Sequence, residues 1–134
     1  MKKVEHIGIA VKDLASGNDL FTRLFNQSCY KQEELISEGV STSFFKVGDT
    51  KIELLEATNE NSPIAKFIEK RGEGIHHIAF EVEDIDAEMQ RLHAEGFQLI
   101  SQRPKDGVDN KRVCFLHPKT TNGVLIELCQ EKAK

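Results

Sequence analysis

The sequence predicts an α+β fold made of two tandem β-α-β-β-β modules, and three observations lead to that. "VEHIGIAVKDL" (Val4 to Leu14) returns as "IHHIAFEVEDI" (Ile75 to Ile85), setting His6 over His77, Gly8 over Ala79, Val11 over Val82 and Asp13 over Asp84 at an offset of 71 residues. "TKIELLEA" (Thr50 to Ala57) returns in "NGVLIELCQ" (Asn122 to Gln130), setting Glu53 over Glu127 at an offset of 74. Within each copy the hydrophobic period runs from two, to helical, and back to two. A repeat spanning half a chain fixes the architecture before any local reading does.

The elements follow in order. Residues 4–11 alternate and are rich in Val and Ile, which predicts a strand. Asp13 is an N-cap candidate for a helix to about Phe25, with Leu14, Phe21, Leu24 and Phe25 on its apolar face. Residues 28–37 predict a second strand, "VSTSFFKV" (Val40 to Val47) a third, "GDT" a hairpin turn and "KIELLEA" a fourth strand. "NSPIAKFIEKRGEG" predicts a linking helix, with Asn61 or Ser62 at its start, Pro63 in its first turn and Gly72 at its end. The second copy predicts a strand at 75–82, a helix from the Asp84 cap to about Glu95, and strands at "EGFQLI", 111–117 and 123–129. "EKAK" at the end reads as frayed. This makes one domain over 1–134, with module one at about 1–57, the linker helix at about 61–72 and module two at about 74–131.

Composition narrows the function. With 134 residues, 39% apolar and 30% charged, the chain suits one globular domain with a real core. A formal net charge of −4 argues against a nucleic-acid partner. No apolar run is long enough to span a bilayer, and the opening "MKKVEHIGIAV" lacks the pattern of a signal peptide. Cys29, Cys114 and Cys129 form no paired framework, so they read as reduced thiols in a cytoplasmic protein.

Strand alternation then sorts the faces. In the first strand Ile7, Ile9 and Val11 suit packing under a helix, whereas His6 shares its face with the small residues Gly8 and Ala10. The second copy places His77 beside Ala79 in the same way. A histidine among small residues suggests a cavity wall. Glu127 lies in "GVLIELC", apolar on both faces, where a lone carboxylate is costly unless it is paired or coordinates a metal. Glu53 occupies the matching strand. Two imidazoles and two carboxylates repeated at matching places form a donor set for a divalent first-row metal. His76 is expected on the helix side of its strand and His93 on a helix surface, while His117 ends a strand either near the pocket mouth or at the surface. Lys66, Lys70 and Arg71 read as a solvated face that could also meet a phosphate.

These residues resemble the vicinal oxygen chelate superfamily, the glyoxalase/bleomycin-resistance-like group. Within it, the resemblance is strongest to the methylmalonyl-CoA epimerase family. "EHIGIAVKDL", "EGVSTSFFKVGDTKIELLEAT", "SPIAKFIEKRGEGIHHIAFEVEDIDA" and "RVCFLHPKTTNGVLIELCQ" carry it almost end to end. The resemblance implies a curved mixed sheet around a metal held by His6, Glu53, His77 and Glu127, with Glu127 also acting as an acid/base group. It implies cobalt as the metal, with manganese, zinc or nickel as alternatives, methylmalonyl-CoA as substrate, and a homodimer. Glu53 departs from the Gln often found at its position, and Thr42 stands where some relatives carry a Glu held to be a second base. A threonine hydroxyl is too weak a base for that role, so the second proton is expected to pass through a water or another carboxylate. Two other classes remain open. One is a glyoxalase- or dioxygenase-type enzyme of the same fold, and the other is a metal-free module that binds a drug.

Overall fold

A computed structural model describes residues 1–133. The elements are β1 (Lys3–Ala10), α1 (Leu14–Phe25), β2 (Lys31–Leu35), β3 (Val40–Val47), β4 (Thr50–Ala57), α2 (Pro63–Arg71), β5 (Gly74–Glu81), α3 (Ile85–Ala94), β6 (Lys105–Asp106), β7 (Lys111–Leu116) and β8 (Ile126–Glu131). The β-α-β-β-β order is present twice. The chain divides into two compact units: His6–His76, and Met1–Glu5 together with the chain from His77 onward.

In the His6–His76 unit the strand order is β2-β3-β4-β1. β1 runs parallel to β4, while β3 is antiparallel to both β2 and β4. One sheet face carries α1: Val11, Leu14, Phe45 and Leu54 form its core with Ile9, Phe21, Phe25 and Ile52. Part of the opposite face is covered by α2, whose Ile64 joins Ala10, Val40 and Leu55. In the other unit the order is β5-β8-β7-β6, again with one parallel pair, β5 with β8. Its main core packs Ile85, Met89 and Leu92 of α3 onto Cys114, Leu116 and Leu128. The opposite face carries a smaller cluster of Ala79, Val113 and Cys129.

The caps repeat with the fold. Asp13 accepts from Ser16 N and Asp84 from Ala87 N, while Ser62 accepts from Ala65 N. The Ser16 hydrogen bonds hold the Asp13 carboxyl below its ordinary range. The end of the last strand of each module also ties the helix start, since Glu56 accepts from Leu14 N and Gln130 from Ile85 N.

Several expectations need correction. Leu24 is 66% exposed rather than on the apolar face of α1. The second strand is only Lys31–Leu35, because the chain turns into a 3-10 segment at Ile36–Glu38 and a left-handed Gly39. "EGFQLI" is not a strand. Phe97 and Leu99 spend their apolarity on the α3 core, Leu99 makes a single bridge to Leu116, and the two-residue β6 pairs with β7 instead. The last strand begins at Ile126, since the left-handed Asn122 and Gly123 keep the preceding stretch in a turn. Within "EKAK", Glu131 is strand and Lys132 N donates to Asn110 O, so the frayed reading fails there; Lys134 lies outside the described residues.

Candidate metal centre

Each unit builds one histidine–carboxylate pair. In the first, β1 and β4 are in register with Gly8 opposite Glu53, so His6 and Glu53 share a face. Nδ1 of His6 lies 3.1 Å from Oε2 of Glu53, and both side chains are buried. In the second, β5 and β8 place Ala79 opposite Glu127. Nε2 of His77 lies 3.1 Å from Oε1 of Glu127, again with both side chains buried. The small Gly8 and Ala79 are the neighbours across from the carboxylates, as the repeat suggests.

The donor chemistry fits a cation. Nitrogen and oxygen ligands each about 2.0–2.2 Å from one divalent ion stand roughly 3.0–3.4 Å apart at angles between octahedral and tetrahedral. Both pairs have that spacing. The same separation serves a charge-assisted hydrogen bond when the imidazole is protonated, so each pair stays satisfied with or without an ion.

The repeat reaches beyond the four predicted residues. Opposite Glu53 in the ladder stands Phe44, and opposite Glu127 stands Phe115. The Lys31 ammonium lies 4.5 Å from the centroid of Phe44, and that of Lys105 lies 5.9 Å from the centroid of Phe115. Phe115 also meets the His77 ring edge-on at 5.9 Å. Thus each half presents His, Glu, Phe and Lys on one face. The two Phe positions keep the offset of the histidines and the two Lys positions that of the glutamates, a signal readable in the sequence.

The remaining candidates fall outside these pairs. His76 packs edge-on against Phe67 of α2 at 5.0 Å, and His93 is exposed on α3. His117 follows directly on the end of β7, where its Nδ1 accepts from Lys119 N and caps a 3-10 turn. Thr42 lies on the Glu53 face of β3, two positions from Phe44; it is 0% exposed and its Oγ1 has no hydrogen-bond partner among the described residues. Burial, with the nearby Glu127 charge adding to it, pushes the Cys114 thiol up to about 12, so it is inert as a nucleophile.

Known proteins are similar to this chain in sequence and fold. The family described as Glyoxalase/Bleomycin resistance protein/Dioxygenase superfamily matches residues 5–115. The ethylmalonyl-CoA/methylmalonyl-CoA epimerase of Cereibacter sphaeroides is 42% identical, over 96% of this chain and 97% of that one. A hypothetical protein of Bacillus halodurans, known from a crystal structure, superposes with a TM-score of 0.95 at 43% identity, covering 98% of this chain and 96% of that one. A variant of Streptomyces coelicolor methylmalonyl-CoA epimerase in complex with 2-nitronate-propionyl-CoA superposes with a TM-score of 0.95 at 33% identity, covering 99% and 96%. The chain belongs to the glyoxalase/bleomycin-resistance/dioxygenase superfamily and, within it, to the methylmalonyl-CoA epimerase family.

Proposed function

We propose that this protein is an isomerase that interconverts the (2R) and (2S) epimers of methylmalonyl-CoA by removing and returning the α-proton. The observation that carries the reading is the repeated, buried His–Glu pair, His6 with Glu53 and His77 with Glu127, in a chain whose relatives are named as epimerases of this substrate. In this proposal the four side chains hold one divalent cation, cobalt by preference, with manganese, zinc or nickel as alternatives. A bound cation of this kind supplies Lewis-acid stabilisation to developing negative charge on a substrate oxygen. Two carboxylates in the donor set favour this over a ring-cleaving dioxygenase, which uses two His and one carboxylate.

The α-carbon lies between a thioester and a carboxylate, so its proton is acidic and its loss leaves an enolate. We assign the proton transfer on one face to Glu127, whose carboxylate has two oxygens and directs one of them to His77. Inversion requires delivery from the other face. Thr42 cannot serve as a base, but its partnerless hydroxyl suits hydrogen bonding to a water that arrives with the substrate and carries the second proton. Cys29, Cys114 and Cys129 form no disulfide among the described residues, which supports a reducing, cytoplasmic setting. A homodimer is proposed on the family resemblance, and sedimentation equilibrium tests it.

The reading is tested by incubating metal-loaded protein with (2S)-methylmalonyl-CoA and following (2R) product through a (2R)-specific mutase. Succinyl-CoA should appear only when the protein is present. Metal-loaded, folded protein that gave none would refute the reading.

A further inference from the structure

An imidazole on a strand turns about its last torsion, which has a broad energy profile. A ring that ligates a metal is therefore ordinarily held by a further contact that fixes its plane. Phe115 supplies such a contact to His77: the ring centroids stand 5.9 Å apart and the planes cross at 86°.

The sheet brings the two rings together. β7, β8 and β5 set Phe115, Glu127 and Ala79 in one row across the ladder, and His77 lies two positions before Ala79 on the same face. Ala79 adds only a methyl group to that row. The Glu127 carboxylate turns toward His77, with Oε1 3.1 Å from Nε2. His77, Glu127 and Phe115 thus form one group of three side chains. Phe115 is itself held on two sides. It packs against the cluster of Ala79, Val113 and Cys129, and the Lys105 ammonium lies 5.9 Å from its centroid. Lys105 sits on the two-residue β6, opposite Val113. That hairpin is fastened by Gly107 N, which donates to Lys111 O, and by Lys132 Nζ at 3.0 Å from Asp106 Oδ1.

We infer that Phe115 is a positioning residue for the metal centre: its ring holds the His77 imidazole in the plane that aims Nε2 at the cation, and Lys105 steadies that ring. The inference rests on the metal-holding part of the function proposed above. Perpendicular ring pairs are attractive beyond the area they bury, because the positive edge of one ring meets the negative face of the other. Turning His77 out of its plane gives up that contact and the approach of Nε2 to Glu127 together. A leucine at position 115 would fill much of the same space but would offer no ring to the imidazole, so the His77 torsion would be left loose. If Phe115 were packing alone, any loss from its cluster would act on metal binding in the same way, and Val113 in that cluster serves as the control.

Titration of metal-free protein with cobalt(II), followed by the visible absorption of the bound ion, tests this without substrate. Phe115→Leu should weaken cobalt binding about 3- to 10-fold and alter the d–d bands. Phe115→Tyr, which keeps the ring, should hold both near wild type. Lys105→Met should weaken binding less than about 3-fold. Val113→Ala should lower the thermal midpoint while cobalt affinity and bands stay as in wild type. Unchanged affinity and bands in Phe115→Leu would overturn the inference. Matching losses in Val113→Ala would overturn it too, by marking Phe115 as packing alone. Wild-type protein that bound no cobalt would bring down the metal reading itself, and this inference with it.

Discussion

Replacing Thr42 by valine should stabilise the ligand-free protein while slowing turnover only modestly. The side chain is fully buried and its Oγ1 has no partner among the described residues, so in the folded state it carries the cost of an unmatched hydroxyl. That cost is about 1–3 kcal/mol. Valine keeps the volume and the β-branched preference for a strand, so no cavity opens and no rotamer is strained. A gain of about 1–2 kcal/mol is expected, which for a chain of this length raises the thermal midpoint by roughly 4–8 °C. Turnover should fall less than about 10-fold, the worth of one neutral hydrogen bond made when substrate binds. Thr42→Glu should leave the enzyme active. Urea unfolding at neutral pH and steady-state kinetics on matched metal-loaded samples supply the numbers. Stability lower than wild type by 1 kcal/mol or so would mean that the hydroxyl is satisfied in the ligand-free protein. A turnover loss as deep as that of Glu127→Gln, with metal content unchanged, would place Thr42 itself in the chemistry.

Three further outcomes are expected. His77→Ala should lose the metal, whereas His76→Ala, which only removes a ring packed on Phe67, should keep most of it; equal losses by metal analysis would mean the strand faces are wrongly assigned. Cys114 stays protonated to about pH 12 when folded but ionises near pH 8.5–9 when unfolded. Its contribution to stability is therefore complete below about pH 8.5 and declines as pH rises toward 12. Between pH 8 and 10.5 wild type should lose about 2 kcal/mol more than Cys114→Val, and parallel unfolding curves would contradict the assignment. Gly39→Ala should cost more than 1 kcal/mol by urea unfolding, since a Cβ there would meet Asn59 Nδ2 at 2.7 Å and Ser62 Cβ at 2.9 Å on a backbone with φ of +62°; a neutral result would show that the loop can shift.

Much of the fold and site was legible because the repeat supplied a second reading of each element. Asp13 and Asp84, His6 and His77, and Glu53 and Glu127 each confirm a place that one copy alone would leave ambiguous. Legibility failed where the copies diverge. "EGFQLI" alternates like a strand, but Phe97 and Leu99 serve the helix-side core, and short-range alternation cannot tell that burial from a ladder. Leu24 fits the helical period yet is left exposed, because the α1 core is built from Leu14, Phe21 and Phe25. Lys31 and Lys105 went unread because lysines on strands ordinarily read as solvated, although their offset matches that of the glutamates. The burial of Lys111 and the orphaned hydroxyl of Thr42 depend on the depth of each strand, which periodicity does not encode.

The central claim is that the paired half-sites exchange the α-proton of methylmalonyl-CoA with Glu127 as an acid/base group. Proton NMR of metal-loaded protein turning over (2S)-methylmalonyl-CoA in heavy water tests it most directly. Deuterium should enter the α-carbon as the (2R) epimer forms, with the carbon skeleton intact, and Glu127→Gln should slow that entry by several orders of magnitude while the protein stays folded. Epimerisation with no solvent deuterium in the product, or wild-type exchange rates in Glu127→Gln, would contradict the account.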